Sequence, residues 1–206
     1  MLTIRLRIAL SITIVFSLVA LQIRNSRADE TENGFHAAIG LVTGKFSGPG
    51  LNANGGFNVP SSIDLEYEFI RQRHFSYFIR TTFSYQLKDG VLPYVYTGGG
   101  ARYYLWSNSR GYDESEGGFK ISKKPNIKIY LGPEVGLSQN IIKQYTQVVQ
   151  TGTTLIEIGG NAGIVYQLNS NIGLEAKVGY SIGFGISTTI VGANIFRGLI
   201  GIDTYF

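Results

Sequence analysis

The chain has 206 residues, with 18 Lys or Arg against 14 Asp or Glu, 27 glycines, 13 Tyr, 12 Phe and no cysteine. The missing cysteine excludes disulfides, thiolate metal sites and lipid attachment to an N-terminal Cys. The basic excess is confined to the first 28 residues, which hold Arg5, Arg7, Arg24 and Arg27 and no acid; the remainder is neutral, and no Lys/Arg stripe with interleaved aromatics suggests nucleic acid as a partner.

Residues 1–28 have the layout of a secretory signal peptide. Arg5 and Arg7 precede an uncharged run from Ile8 to Leu21, and Ser26 and Ala28 occupy the small-residue positions of an export cleavage site. The run falls short of the roughly 20 residues that a membrane-spanning helix needs, so cleavage after Ala28 is expected rather than an uncleaved anchor. Residues 29–206 then form one domain.

That domain carries eight segments of period-two alternation, the pattern of strands, and no stretch with apolar residues at helical spacing. In chain order the expected strands are Phe35–Phe46, Ser62–Ile70, Phe75–Gln86, Tyr94–Trp106, Asn126–Ser138, Thr154–Leu168, Ile172–Gly185 and Ala193–Phe206. The second, SIDLEYEF at 62–69, alternates Ile63, Leu65, Tyr67 and Phe69 with Asp64, Glu66 and Glu68. One segment resists: 107–125 (SNSRGYDESEGGFKISKKP) is an insert, or Gly118–Lys123 extends the fifth strand, or the strand parity is misassigned. The sequence leaves all three open.

Sorting by parity gives two unlike faces. One is apolar, with Ile63, Leu65, Ile129, Leu131, Ile156, Ile158, Val178, Ile182, Ile200 and Ile202. The other holds Asp64, Glu66, Glu68, Arg80, Arg102, Lys128, Glu134, Glu157, Glu175, Lys177, Arg197 and Asp203, seven acids and five bases with small residues between. A soluble sandwich would bury the apolar face, whereas a membrane barrel would turn it to lipid and the charges to the lumen. Three features favour the membrane. The strands run long enough to cross a bilayer at a tilt. Glycines 98, 100, 132, 136, 159, 163, 179 and 183 gather on the charged face, where a narrow interior has little room. Aromatics gather at strand ends: Phe69, Phe75, Tyr77, Tyr103, Trp106, Tyr166 and Phe206 toward one interface, Phe46, Tyr85, Tyr94 and Phe184 toward the other. The expected fold is all-β, an eight-stranded antiparallel up-and-down transmembrane barrel with a side-chain-filled lumen and no open pore. Arg80, on the neighbouring strand, is the expected partner of Asp64, Glu66 or Glu68.

Several stretches resemble the small OmpA/OmpX-type outer-membrane β-barrel domain family. The tail IFRGLIGIDTYF ends on the aromatic Phe206, as the C-terminal assembly signal of such barrels does, although Thr204 stands where a second aromatic is usual. Residues 156–185 resemble a penultimate hairpin turning at Asn169–Asn171, and LPYVYTGGGARYYLW is similar to a PYVGxGxGxxY strand. The resemblance implies export to the periplasm, insertion by the barrel-assembly machinery, and residence in the outer membrane among its lipid and lipopolysaccharide as a monomer with periplasmic termini. Gly48–Pro60, Leu87–Pro93, Gln139–Gly152 and Ile186–Gly192 would then be extracellular loops, available to a host or envelope ligand.

No chemistry stands out. His36 and His74 have no ligand-spaced partner, so neither a metal nor another cofactor is expected. His74-Phe75-Ser76 resembles the H-x-S of lipid A deacylases, but Tyr77 replaces the following Asn. Gly40–Phe46 imitates a phosphate loop without its Ser/Thr. The expected role is structural or surface-interacting and non-catalytic, with a lipid-modifying enzyme or a narrow solute channel as alternatives.

Overall fold

A computed structural model describes residues 33–48, 56–72, 74–86, 91–105, 112–116, 119–123, 127–143, 150–169, 171–185 and 192–206. The expected signal peptide lies outside them. The described residues form ten strands: β1 (Asn33–Ser47), β2 (Gly56–Gln72), β3 (Phe75–Gln86), β4 (Val91–Tyr104), β5 (Tyr112–Glu116), β6 (Phe119–Lys123), β7 (Ile127–Lys143), β8 (Gln150–Gln167), β9 (Ile172–Gly185) and β10 (Gly192–Tyr205). Eight of them close, all antiparallel, in the order β1-β10-β9-β8-β7-β4-β3-β2, and β5 and β6 pair as a separate two-stranded sheet. Within segment 107–125 the described residues, 112–116 and 119–123, pair with each other as a hairpin and not with β7.

The register fixes the dimensions. Starting at His36 and stepping across the strands through Glu66, Arg80, Gly98, Gly136, Glu157, Gly183 and Ala193 leads back to β1 at Phe46, ten residues further along. With strands about 4.8 Å apart and a rise of about 3.3 Å per residue, that stagger tilts the strands by about 41° around a backbone cylinder of about 8 Å radius. Side chains from opposite walls meet in so narrow a space. Glycine is needed where they do: a Cβ on Gly163 would collide with the Tyr130 hydroxyl, and one on Gly98 with the Tyr96 hydroxyl.

Two strands begin earlier than their prolines suggest. β2 starts at Gly56, and the register shifts between Gly40 and Val42 so that Pro60 and Ser61 bulge outward. β4 starts at Val91, and its pairing with β3 shifts past Pro93. A bulge leaves a residue unpaired, so proline's missing N–H costs no ladder bond and the strand continues. At the opposite end Asn33 and Phe206 exchange backbone hydrogen bonds of 2.9 and 3.0 Å, tying the first described residue to the last. The β8–β9 turn is held by Asn169, whose Oδ1 accepts from the N–H groups of Asn171 (2.8 Å) and Ile172 (2.9 Å), an Asx turn.

The barrel is apolar outside and charged inside. Ile39 and Ile200, paired across β1 and β10, are 69% and 67% exposed, and Ile63, Leu131, Val135, Ile158, Val178 and Ile202 also face outward. This is the patterning of a transmembrane barrel, because a water-soluble barrel would turn those chains inward. Tyr77, Tyr103, Tyr166 and Phe206 form an exposed aromatic band at the end where Asn33 and Phe206 meet. The second expected band is only partly there. Phe184 is exposed, but Phe46 and Tyr94 have inward parity and are buried; with Val42, Tyr96, Leu155, Ala193 and Ile195 they form an apolar plug inside the loop end. Tyr85 and Trp106 lie outside the described side chains.

Candidate functional site

All twelve charged residues of the polar face are buried within the barrel: Asp64, Glu66 and Glu68 from β2, Arg80 from β3, Arg102 from β4, Lys128 and Glu134 from β7, Glu157 from β8, Glu175 and Lys177 from β9, and Arg197 and Asp203 from β10. Period-two alternation puts them there, since each stands at even spacing from small or apolar inward neighbours. A buried charge without a partner is costly, so the pairing among these groups decides whether the barrel holds. They divide into two clusters stacked along the barrel axis.

The cluster nearer the loop end is balanced, two bases to two acids. Arg197 donates from Nη1 to Glu157 Oε2 at 3.0 Å and from Nη2 to Glu134 Oε1, so one guanidinium bridges two carboxylates. The other oxygen of Glu134 lies 2.5 Å from Arg80 Nη2 and accepts from Asn161 Nδ2 at 3.1 Å. Ser181 donates to Glu157 at 2.7 Å, and Tyr94 donates to Glu157 at 3.1 Å while accepting from Arg197 at 2.5 Å. The Arg197 guanidinium lies 4.6 Å from the Tyr96 ring centre, and that of Arg80 lies 5.4 Å from it, within cation–π range.

The cluster nearer the Asn33–Phe206 end is acidic. Lys177 Nζ is 2.6 Å from Asp64 Oδ2, and Arg102 Nη2 is 2.5 Å from Glu66 Oε1. Around them Glu68 accepts from Tyr104 at 2.5 Å and from Ser76, and Glu175 accepts from Tyr130. Arg102 packs 4.1 Å from the Tyr130 ring centre, and Lys128 Nζ lies 4.1 Å from that of Tyr205.

The structure corrects two expectations here. Arg80 sits opposite Glu66 in the ladder, yet its guanidinium pairs with Glu134 on the far side of β4; Arg102 and Lys177 take the carboxylates of β2. In a tilted barrel of this radius a long side chain reaches across the lumen as readily as to its ladder neighbour, so adjacency in the register is a weak guide to pairing. Second, His36 does have partners. It is wholly buried, with Nδ1 2.5 Å from Asp203 Oδ1 and Nε2 2.9 Å from Glu68 Oε2. Its even position in the first strand was the signal; the partners come from strands far away in sequence.

The deacylase-like residues do not form a dyad. His74 is exposed at the β2–β3 turn, where its Nδ1 lies 3.2 Å from the Tyr104 carbonyl oxygen, while Ser76 points into the lumen and donates a hydrogen bond to Glu68. Gly40–Phe46 is part of β1. With charged chains in the middle and the apolar plug above, the lumen is packed with side chains.

No family model matches the chain, and no curated protein does. Solved structures do. Neisserial surface protein A is similar at TM-score 0.55 and 16% identity, over 86% of this chain and 98% of that one. The N-terminal barrel domain of OprF from Pseudomonas aeruginosa gives 0.48 and 11% over 86% and 100%. Ail, the attachment invasion locus protein of Yersinia pestis, gives 0.46 and 12% over the same shares. The first of these shows the fold, a closed eight-stranded transmembrane β-barrel.

Proposed function

We propose that this chain is exported, inserts into the bacterial outer membrane with both termini on the periplasmic side, and serves as a rigid mount for surface loops that contact a host or envelope ligand. One observation carries the reading. The β7–β8 ladder runs without a break to Lys143↔Gln150, whereas β8 pairs with β9 only as far as Leu155↔Gly185 and β4 pairs with β7 only as far as Tyr94↔Asn140. The described part of this hairpin therefore stands beyond its neighbours at the loop end, with Lys143 and Gln150 its last pair. A packed lumen suits a mount better than a conduit, and recognition commonly sits on loops held by a rigid scaffold. A surface role fits the name of one structural relative, Neisserial surface protein A.

The test replaces 141–152 by a two-residue turn and compares adhesion of a diderm host strain to an epithelial monolayer. Cells with the clipped barrel should adhere at the level of cells lacking the protein, while the clipped barrel still folds. Adhesion equal to that of the full-length barrel, or none above background with either, would sink the proposal.

A further inference from the structure

One charge points out of the barrel. Among the described side chains Lys45, near the loop end of β1, is the only charged one on the outer face, where it is exposed. Its outward neighbours are neutral: Asn194 faces it across the β10 ladder, Gly56 across the β2 ladder, and Thr43 and Ser47 stand on either side of it along β1. An ammonium group on a lipid-facing wall needs water or an anion.

Its height says which is at hand. Ile39 lies midway along β1 between Lys45 and Asn33, the residue that bonds to Phe206 at the opposite end. With a rise of about 3.3 Å per residue and a tilt of about 41°, Lys45 stands about 15 Å above Ile39 along the barrel axis. That is half the roughly 30 Å of a hydrocarbon core, so Lys45 is level with the headgroups on the loop side of the bilayer.

Below it the wall is hollow. A groove of about 780 Å3 runs down the outer face, lined by Leu41, Ala162, Ile164, Ala176, Val178 and Gly198 among others. It opens where Gly198 faces Leu41 across the ladder, about 10 Å below the Lys45–Asn194 pair. A Cβ on Gly198 would meet only the side chains of Phe196 and Leu41, at 3.6 and 3.8 Å. Here glycine leaves room, whereas in the lumen it avoids collisions.

We propose that Lys45 and Asn194 seat a phosphate of lipid A, one of whose acyl chains lies in this groove. Tyr180 donates to Asn194 Oδ1 at 2.8 Å, which leaves the carboxamide hydrogens of Asn194 as donors beside Lys45. An ammonium and an amide together offer a phosphate one charge-assisted hydrogen bond and one neutral one. Hydrocarbon from any lipid would fill the groove in a bilayer, and the cation above it selects an anionic headgroup. The choice of lipid A rests on the outer-membrane reading, which puts the phosphate-bearing glycolipid in the leaflet on the loop side; it does not depend on what the loops bind.

The test purifies the folded protein from membranes in a mild detergent. It is titrated with lipid A, with the same lipid A stripped of its phosphates, and with phosphatidylglycerol, and native mass spectrometry counts the lipids on each barrel. One lipid A should be retained, at least tenfold more of it than of either other lipid at equal concentration. Lys45→Gln and Gly198→Leu should each lower that retention at least fivefold. Val135→Leu, on the outer face of β7 away from the groove, should leave it as in the parent. Equal retention with and without phosphate overturns the proposal, as does retention untouched by Lys45→Gln or Gly198→Leu. Phosphatidylglycerol held as well as lipid A removes the assignment to lipid A, and lipid-free dimers broken by Gly198→Leu give the groove to a second copy. Unboiled mobility of the same preparation reports whether the barrel is folded, so a failed seat is distinguishable from a failed barrel. The comparison of lipids on the parent decides even if a variant fails to fold.

Discussion

Arg197→Met is expected to destabilise the folded barrel by about 3–5 kcal/mol, the cost typical of breaking a buried ion pair from one side. The guanidinium is fully buried and holds Glu134 and Glu157 together, and it also donates to Tyr94 and Ser181. Methionine keeps most of its packing against Tyr96 but leaves two carboxylates with Arg80 as the one remaining cation of that cluster. Urea unfolding of the barrel in lipid vesicles measures the loss. Adding Glu157→Gln should recover part of it, because the uncompensated charge goes too. A loss under about 1 kcal/mol would mean that water reaches these groups and that the lumen is wetter than its packing indicates.

Ile200→Arg separates a lipid-facing surface from a water-facing one. Ile200 stands near the middle of β10, points outward, and is flanked by Ile39 across the β1 ladder. In a bilayer, arginine at mid-depth on the outer face costs about 2–4 kcal/mol, whereas near the interface the cost falls to about 0–1. On a water-exposed surface the same change would be within about 0.5 kcal/mol of neutral. The matched control is Leu168→Arg at the β8–β9 turn, also exposed but at the barrel's end. A large loss at Ile200 and a small one at Leu168 is the expected pair. Equal, negligible losses would return the apolar face to some other explanation.

Much of this architecture is readable from alternation alone. β3 and β9 fall at Phe75–Gln86 and Ile172–Gly185, the bounds expected from the pattern, because polar or Gly-rich breaks flank both strands. The strands that begin after a proline were legible only in part, since Pro60 and Pro93 read as stops although a bulge lets each strand run past them. Parity placed all twelve charged chains on one face, and the structure buries all twelve. It could not say which would pair. Arg80 meets Glu134 rather than its ladder neighbour Glu66 because it extends past Gly98 and Gly100 of β4 to the next strand, β7, and that neighbourhood is set by the strand order and register, which no single strand encodes. His36 escaped for a related reason. A lone histidine in a strand whose other charge, Lys45, faces outward carries no sign of its partners, and Asp203 is 167 residues away. Phe46 and Tyr94 show the opposite limit: both lie near a strand end, but parity outranks position and turns them inward.

The most direct test of the bilayer-spanning barrel is electrophoretic. Membranes from cells that express the chain are extracted with salt, alkali and then detergent, and each fraction is run unboiled and boiled. The account predicts that the protein resists salt and alkali, enters detergent, and migrates faster unboiled than boiled, because a closed hydrogen-bonded barrel stays folded in cold detergent. A protein released by salt into the soluble fraction, with the same mobility before and after boiling, would contradict it.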